Sequence, residues 1–424
     1  MNKKAKGASV LLVVFLLVAT LAGTASAQAG TTVLAEGFNG PMGVLVAPDG
    51  SVWVVDSGLG GDQEVQSVNP ETGQAQMVKI GDSARVIKVA ADGSQSVAAT
   101  LPSVLSGQEA SGGSRLALLN GTLYATSGVW SGAAQPEGAP PKWAEVVKIA
   151  DGQATEFAKT WPLEKDKNPD GFILESHPYG LTAGPDGMLY VADAGGNDLL
   201  KVDPATGQVS LVAVFPGVPG PLPNANRGNA KEADPVPTGV AFDKAGNIYV
   251  SHLPGFPFVP GSAKVVKVGA DGTVSDYATG LTTITDLRAG PDGELYAVQL
   301  AVFTDKGPQP NTGAVVRVKP GEASEVVLSG LSFPSSIDFN AAGDAYITLN
   351  GVGAPGSGQL VKVAALTSAP GTSLVVPASQ PATLPTTGAM PVNGAWLALA
   401  AGVVLVALGL ALTRRLAAER IRRQ

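Results

Sequence analysis

Residues 31–366 predict an all-β fold, a six-bladed β-propeller closed by its own N-terminal strand, on three observations. First, a strand, a tight turn and a second strand recur six times. The units read MGVLVAPDGSVWVVDSG from Met42, SRLALLNGTLYATSG from Ser114 and YGLTAGPDGMLYVADAG from Tyr179. They continue as TGVAFDKAGNIYVSH from Thr238, TDLRAGPDGELYAVQ from Thr285 and SSIDFNAAGDAYITLN from Ser335. Second, five of the units run on into another hairpin, such as ARVIKVAADGSQSVAATL from Ala84 or AKVVKVGADGTVSDYA from Ala263, which makes four strands each. Third, the sixth unit has only one further strand, 359–363, while an orphan strand, 31–36, stands ahead of the first unit. That orphan is expected to become the outer strand of the sixth blade and so close the ring.

Each element has a local cause. The pairs Asp49-Gly50, Asn120-Gly121, Asp186-Gly187 and Asp292-Gly293 are hairpin turns, because Gly accepts the positive φ that such turns need. They are assigned no chemistry. Trp53, Tyr124, Tyr190, Tyr249, Tyr296 and Tyr346 recur at one place in the second strand, as packing between blades requires. In a propeller the turns joining strands one to two and three to four share one face, and here they are short. The other face takes the remaining loops, and the long insertions 56–83, 127–142, 160–176, 216–235, 252–262, 299–312 and 350–358 all fall on it. Loops carried by a rigid scaffold are where recognition concentrates, so this face is the expected binding face. The segment GLTAGPDGMLYVADAGGNDLLKVDPATG resembles NHL-type repeats. Residues 30–365 as a whole, including FNGPMGVLVAPDGSVWVVDSG, resemble the ScyD/ScyE family of secreted propeller proteins. The resemblance implies a fold; that family supplies no established catalytic residues, so it implies no activity.

The two ends predict export. Lys3, Lys4 and Lys6 precede the apolar run 8–21, and Ala25-Ser26-Ala27 offers small residues before a cleavage point, which makes 1–27 a signal peptide. Residues 367–383 are uncharged and rich in Ser, Thr, Pro and Ala, an extended disordered linker reaching at most about 50 Å. Leu384-Pro385-Thr386-Thr387-Gly388, the apolar run 394–412 and the arginine-rich tail 413–424 together resemble the sorting signal of sortase-anchored cell-wall proteins. The resemblance implies a sortase as partner, cleavage between Thr387 and Gly388, and transfer to peptidoglycan. At ~1.5 Å per residue the apolar run covers about 28 Å, enough for a transmembrane helix, with its arginines left on the cytoplasmic side. Without a matching sortase the same segment is a single-pass membrane anchor. Either way the propeller is expected at the cell surface, outside the membrane.

Composition narrows the function. The chain has 28 Lys+Arg and 35 Asp+Glu; the signal peptide and tail hold eight of the former and one of the latter, so the exported part carries about −14. That leaves no basic face for nucleic acid. The absence of cysteine rules out disulfides and thiol catalysis, and two histidines, His177 and His252, argue against an all-protein zinc site. No Gly-x-Ser-x-Gly elbow, P-loop or HExxH motif occurs.

Inner strands start, and second strands end, at the channel mouth, which should gather Asp56, His177, Asp193, His252 and Asp286. The three carboxylates are the oxygen ligands a hard cation such as Ca²⁺ uses. An Asp at a strand end serves equally well as acceptor for backbone N–H groups, so no metal or cofactor is assigned. Hydrolases resembling gluconolactonases hold calcium with a Glu, two Asn and an Asp in the channel. That set cannot be assigned here, since Glu36 falls in the closing strand. Trp130, Trp143, Trp161, Phe256 and Phe258 lie in or beside the long loops, as a ligand platform or as wedges between blades. The function expected is a binding module that presents its loop-rich face to an extracellular ligand, glycan or protein. The alternative is an extracellular metal-assisted hydrolase, lactonase or lyase at the channel mouth.

Overall fold

The alternating strands and glycine turns of the repeats form antiparallel sheets that follow one another round a ring. The computed structural model describes residues 30–376 except 69–74, 107–108, 132–138 and 173. The expected signal peptide, sorting motif, transmembrane helix and basic tail lie outside the described residues. No described helix is long and apolar enough to cross a membrane.

Among the described residues, six sheets have four or more strands. Their inner strands are Pro41–Val46, Leu116–Leu119, Pro178–Ala183, Pro237–Phe242, Ile284–Ala289 and Ser336–Phe339. Each inner strand touches the next, and the last touches the first, so the β-propeller ring is closed. Closure joins the two ends of the folded chain: Thr31–Phe38 pairs antiparallel with Gly358–Val363 as the outer strand of the sixth sheet. The ring therefore holds its own core and its own closure within residues 30–376.

Two sequence rules explain the local fit. In the third and fifth sheets the turn Asp has two tasks. Asp186 accepts the Met188 amide (3.2 Å) and the Tyr190 hydroxyl (2.9 Å), and Asp292 does the same for Glu294 (3.2 Å) and Tyr296 (2.7 Å). This ties each hairpin turn to the tyrosine that packs between sheets. Glycine is required where inner strands converge on the axis. A Cβ on Gly43 would lie 2.5 Å from the Ser114 carbonyl oxygen, and one on Gly239 would lie 2.4 Å from the Leu287 amide nitrogen. Between adjacent sheets, side chains such as Leu199, Phe215, Val250 and Val266 are fully buried, each contributing roughly 1.5–3 kcal/mol.

Several expected loops are built structure. Gln63–Val68 pairs with the long strand Ala75–Val89 and extends the first sheet beyond the ring. Trp161–Lys167 is a short helix, and Val218–Asn224 with Ala230–Ala233 forms a hairpin. The boundary expected at 366/367 also shifts. Leu366 is buried, and Thr372–Ser373 pairs with Glu325–Leu331 as a fifth strand of the fifth sheet. The edge of that sheet offers unpaired backbone groups, and the passing chain satisfies them even though its composition reads as linker.

Deleting residues 30–38 should expose the edge at Gly358–Val363 and open the ring. We expect a lower unfolding temperature and self-association in size-exclusion chromatography; an unchanged transition would contradict the closure.

Candidate functional site

The first residue of every repeat has one destination. Met42, Ser114, Tyr179, Thr238, Thr285 and Ser335 all line a bowl at the loop-rich mouth of the channel, about 1220 Å³ with its open mouth counted. Loop residues raise the walls, among them Leu59, Val236, Leu253, Leu300 and Val352. The lining contains no Asp, Glu, Lys or Arg among the described residues.

The second residue of each repeat closes the channel beneath. In order these are Gly43, Arg115, Gly180, Gly239, Asp286 and Ser336. Arg115 is fully buried and spans the axis. One terminal nitrogen donates to the carbonyls of Met42 and of Ser114 (2.9 Å); the other donates to those of Thr285 and of Ser335 (2.9 Å). Its Nε stands 3.3 Å from Asp286 Oδ1, and its guanidinium lies 4.6 Å from the centre of the Tyr179 ring. Five of the six sheets thus meet one side chain. A planar guanidinium with five donors can do this; the single point of an ammonium cannot.

Asp286 completes the plug. Its carboxylate also accepts the Ser336 hydroxyl (2.6 Å) and the amides of Leu287 (2.9 Å) and Ile337 (3.2 Å). Burial pushes its pKa up, but Arg115, Arg288 and these hydrogen bonds outweigh burial and hold it below the usual carboxylate range. Deeper in the channel Arg288 donates to the Leu181 carbonyl (3.4 Å), and Asp338 accepts the Val46 amide (2.7 Å).

The five residues expected together at the mouth are spread apart. His177 lines the bowl, with its ring edge-on to Tyr179 at 5.5 Å. Burial lowers its pKa to about 4, so the imidazole is neutral near pH 7. Asp286 sits one residue below the bowl, in the plug. Asp56 accepts the amides of Asn39 and Gly58 (both 2.9 Å) and pairs with Arg85 at 2.5 Å. Asp193 accepts the amides of His177 (2.6 Å), Gly195 (3.1 Å) and Gly196 (3.0 Å) and the Ser176 hydroxyl (2.6 Å). Both therefore spend their oxygens on strand-end turns. His252 does not line the bowl and packs against Phe215 (4.6 Å), and burial, then Lys264, lowers its pKa to about 3. Among the described residues no three His, Asp or Glu side chains converge as ligands for a metal ion.

The tryptophans are wedges. Trp130 and Trp161 are buried with Val65, Val78 and Ile80 under the long loops, and Trp143 packs against them. Phe258 is buried against Phe303 (4.6 Å), and only Phe256 of the aromatic group stands well exposed. Sequence reasoning passed over Arg115, although its signal was present: SRLALLN is the one repeat with a cation in the second position.

Next to the bowl lies a buried acidic patch. Glu164 accepts the Glu175 amide (3.3 Å), while its other oxygen, both oxygens of Glu175 and one of Asp198 lack partners among the described residues. Burial, then Asp193 and Asp170, pushes Glu164 up to about 8. Burial and neighbouring carboxylates raise Glu175 and Asp198 well above the usual range. Burial thus favours the neutral form of these carboxyls.

No family model and no curated protein matches the chain. Solved structures do, at low identity. A provisionally assigned oxidoreductase (glucose dehydrogenase) from Thermus thermophilus is 19% identical, with 78% of this chain and 98% of that one covered and a TM-score of 0.47. Virginiamycin B lyase from Staphylococcus aureus is 14% identical, covering 77% and 95%, with a TM-score of 0.42. A gluconolactonase from Xanthomonas campestris is 13% identical, covering 78% and 96%, with a TM-score of 0.41. The likeness is one of overall β-architecture alone.

Arg115→Met leaves Asp286 short of its nearest cation and four carbonyls without a donor, and should cost about 3–5 kcal/mol in urea unfolding. Asp286→Asn in that background should recover part of the loss, because the two residues are coupled. For Glu164, the folded pKa lies above the unfolded 4.5, so the folded state binds the extra proton. Its contribution is therefore full below about pH 4.5 and is lost as pH rises to about 8. Glu164→Gln should flatten that decline in unfolding temperature; a decline of unchanged slope would refute the assignment.

Proposed function

We propose that this protein is an exported six-bladed propeller, displayed at the cell surface through its C-terminal sorting signal, that binds a ligand in the bowl on its loop-rich face. The observation that carries the binding reading is the bowl itself. All six repeats contribute their first residue to it, and Arg115 seals the channel below, which leaves one open end for a ligand. Concave sites that are mostly apolar and built on rigid elements are the usual place for small-molecule recognition. The six ring sheets serve as the six blades, with the N-terminal strand as their closure.

The hydrolase or lyase reading has less support. A cation at the mouth would need free oxygen ligands, and Asp56, Asp193 and Asp286 commit theirs to arginines, amides and hydroxyls. Display rests on the sequence: LPTTG, the apolar run and the arginines stand in the order a sorting signal requires. Because Thr372–Ser373 pairs with the fifth sheet and Val376 lies against Gly261 and Gly280 of the fourth, the stretch from the ring to the sorting motif is shorter than composition suggests, which favours a ring close to the membrane or within the wall.

Cell fractionation with mass spectrometry of the mature C-terminus tests the display. Covalent wall material ending at Thr387 is the expected product. An intact tail, with Arg422 and Arg423 present and extractable by detergent, would replace sorting with simple membrane anchoring.

A further inference from the structure

The lining of the bowl carries information about what fills it. The exported part of the chain carries about −14, yet no charged side chain lines the bowl among the described residues. Its titratable members are His177 and Tyr179, and burial keeps the first neutral and raises the second. The nearest cation, Arg115, is out of reach, since its terminal N–H groups are spent on four carbonyls and its Nε faces Asp286. An anionic ligand would find no counter-charge and would enter against an acidic surface. A cationic ligand would find no carboxylate. A polyhydroxylated sugar would find scattered Ser and Thr hydroxyls and Asn39 in place of the dense planar hydrogen-bonding groups that replace its hydration.

The lining offers apolar surface instead. Met42, Tyr179, Val236, Leu253, Leu300 and Val352 face the space. The apolar contact continues from Leu253 through Phe258 to Phe303, and Phe256 stands exposed beside them. Resting on the reading that the bowl is the binding site, we propose that its ligand is a neutral, predominantly apolar small molecule. Burial of such a ligand removes apolar surface from water and leaves no charge unpaired.

The test uses residues 30–376, which contain the closed ring, and three fluorescence probes. N-phenyl-1-naphthylamine is neutral, anilinonaphthalene sulfonate is its anionic counterpart, and a dansylated hexose stands for sugars. Two variants at partly exposed lining positions leave the core intact: Leu59→Trp narrows the mouth, and Val352→Asp places a charge in the wall. The expected result is saturable binding of the neutral probe at one site, unchanged between pH 6 and 8 and weakened at least tenfold by both variants. Tighter binding of the anionic or sugar probe, abolished by the same variants, would overturn the ligand class and leave the bowl as the site. Binding of every probe unaffected by either variant would overturn the bowl itself.

Discussion

One guanidinium at the axis organises this molecule. A ring of sheets brings the carbonyls that begin its inner strands to a common centre, and such groups cannot be left unsatisfied away from water. Arg115 meets four of them, together with Asp286 and the face of Tyr179. Burying a guanidinium costs several kcal/mol of lost hydration, which only near-complete satisfaction offsets. That requirement fixes how sheets one, two, three, five and six approach each other. The glycines at Gly43, Gly180 and Gly239 are the steric counterpart, since a side chain at any of them would strike the neighbouring strand.

The plug also decides where function can reside. With the axis closed, the channel is no conduit, and the loop-rich mouth becomes a cup whose wall is uncharged among the described residues. The three aspartates expected at the cup are already engaged: Asp56 and Asp193 hold strand-end turns, and Asp286 holds the arginine. On the binding reading proposed above, stability and recognition are separated in this way. The ring is held by a satisfied charge cluster, whereas the cup is free to vary through residues such as Leu59 and Val352 that carry no part of the frame.

Much of the fold was legible in the sequence because it is encoded locally and repeated. Asp-Gly turns, period-two strands and the missing sixth-sheet strand are short-range patterns, and the pairing of Thr31–Phe38 with Gly358–Val363 follows from counting strands. The first position of each repeat also marks the cup. The site was harder to read, because a strand-end Asp looks alike in sequence whether it waits for a cation or caps a turn. Asp193 differs from a ligand in the amides of His177, Gly195 and Gly196 and the Ser176 hydroxyl that reach it in space. His252 shares its strand position with Asp56 and Asp193, yet it packs on Phe215. The tail segment around Thr372–Ser373 was illegible for another reason: its composition is that of a linker, and an open sheet edge, absent from its own sequence, gives it structure.

If one guanidinium organises the ring, the axis around Arg115 is its most firmly held part. Hydrogen–deuterium exchange followed by mass spectrometry measures this directly. Amides at Arg115–Leu116, Leu287 and Ser336–Ile337 should exchange last, together, and only through global unfolding. Faster exchange there than in the outer strands Gln153–Lys159 and Val209–Val214 would show an axis that opens on its own, and would contradict the organising role of Arg115.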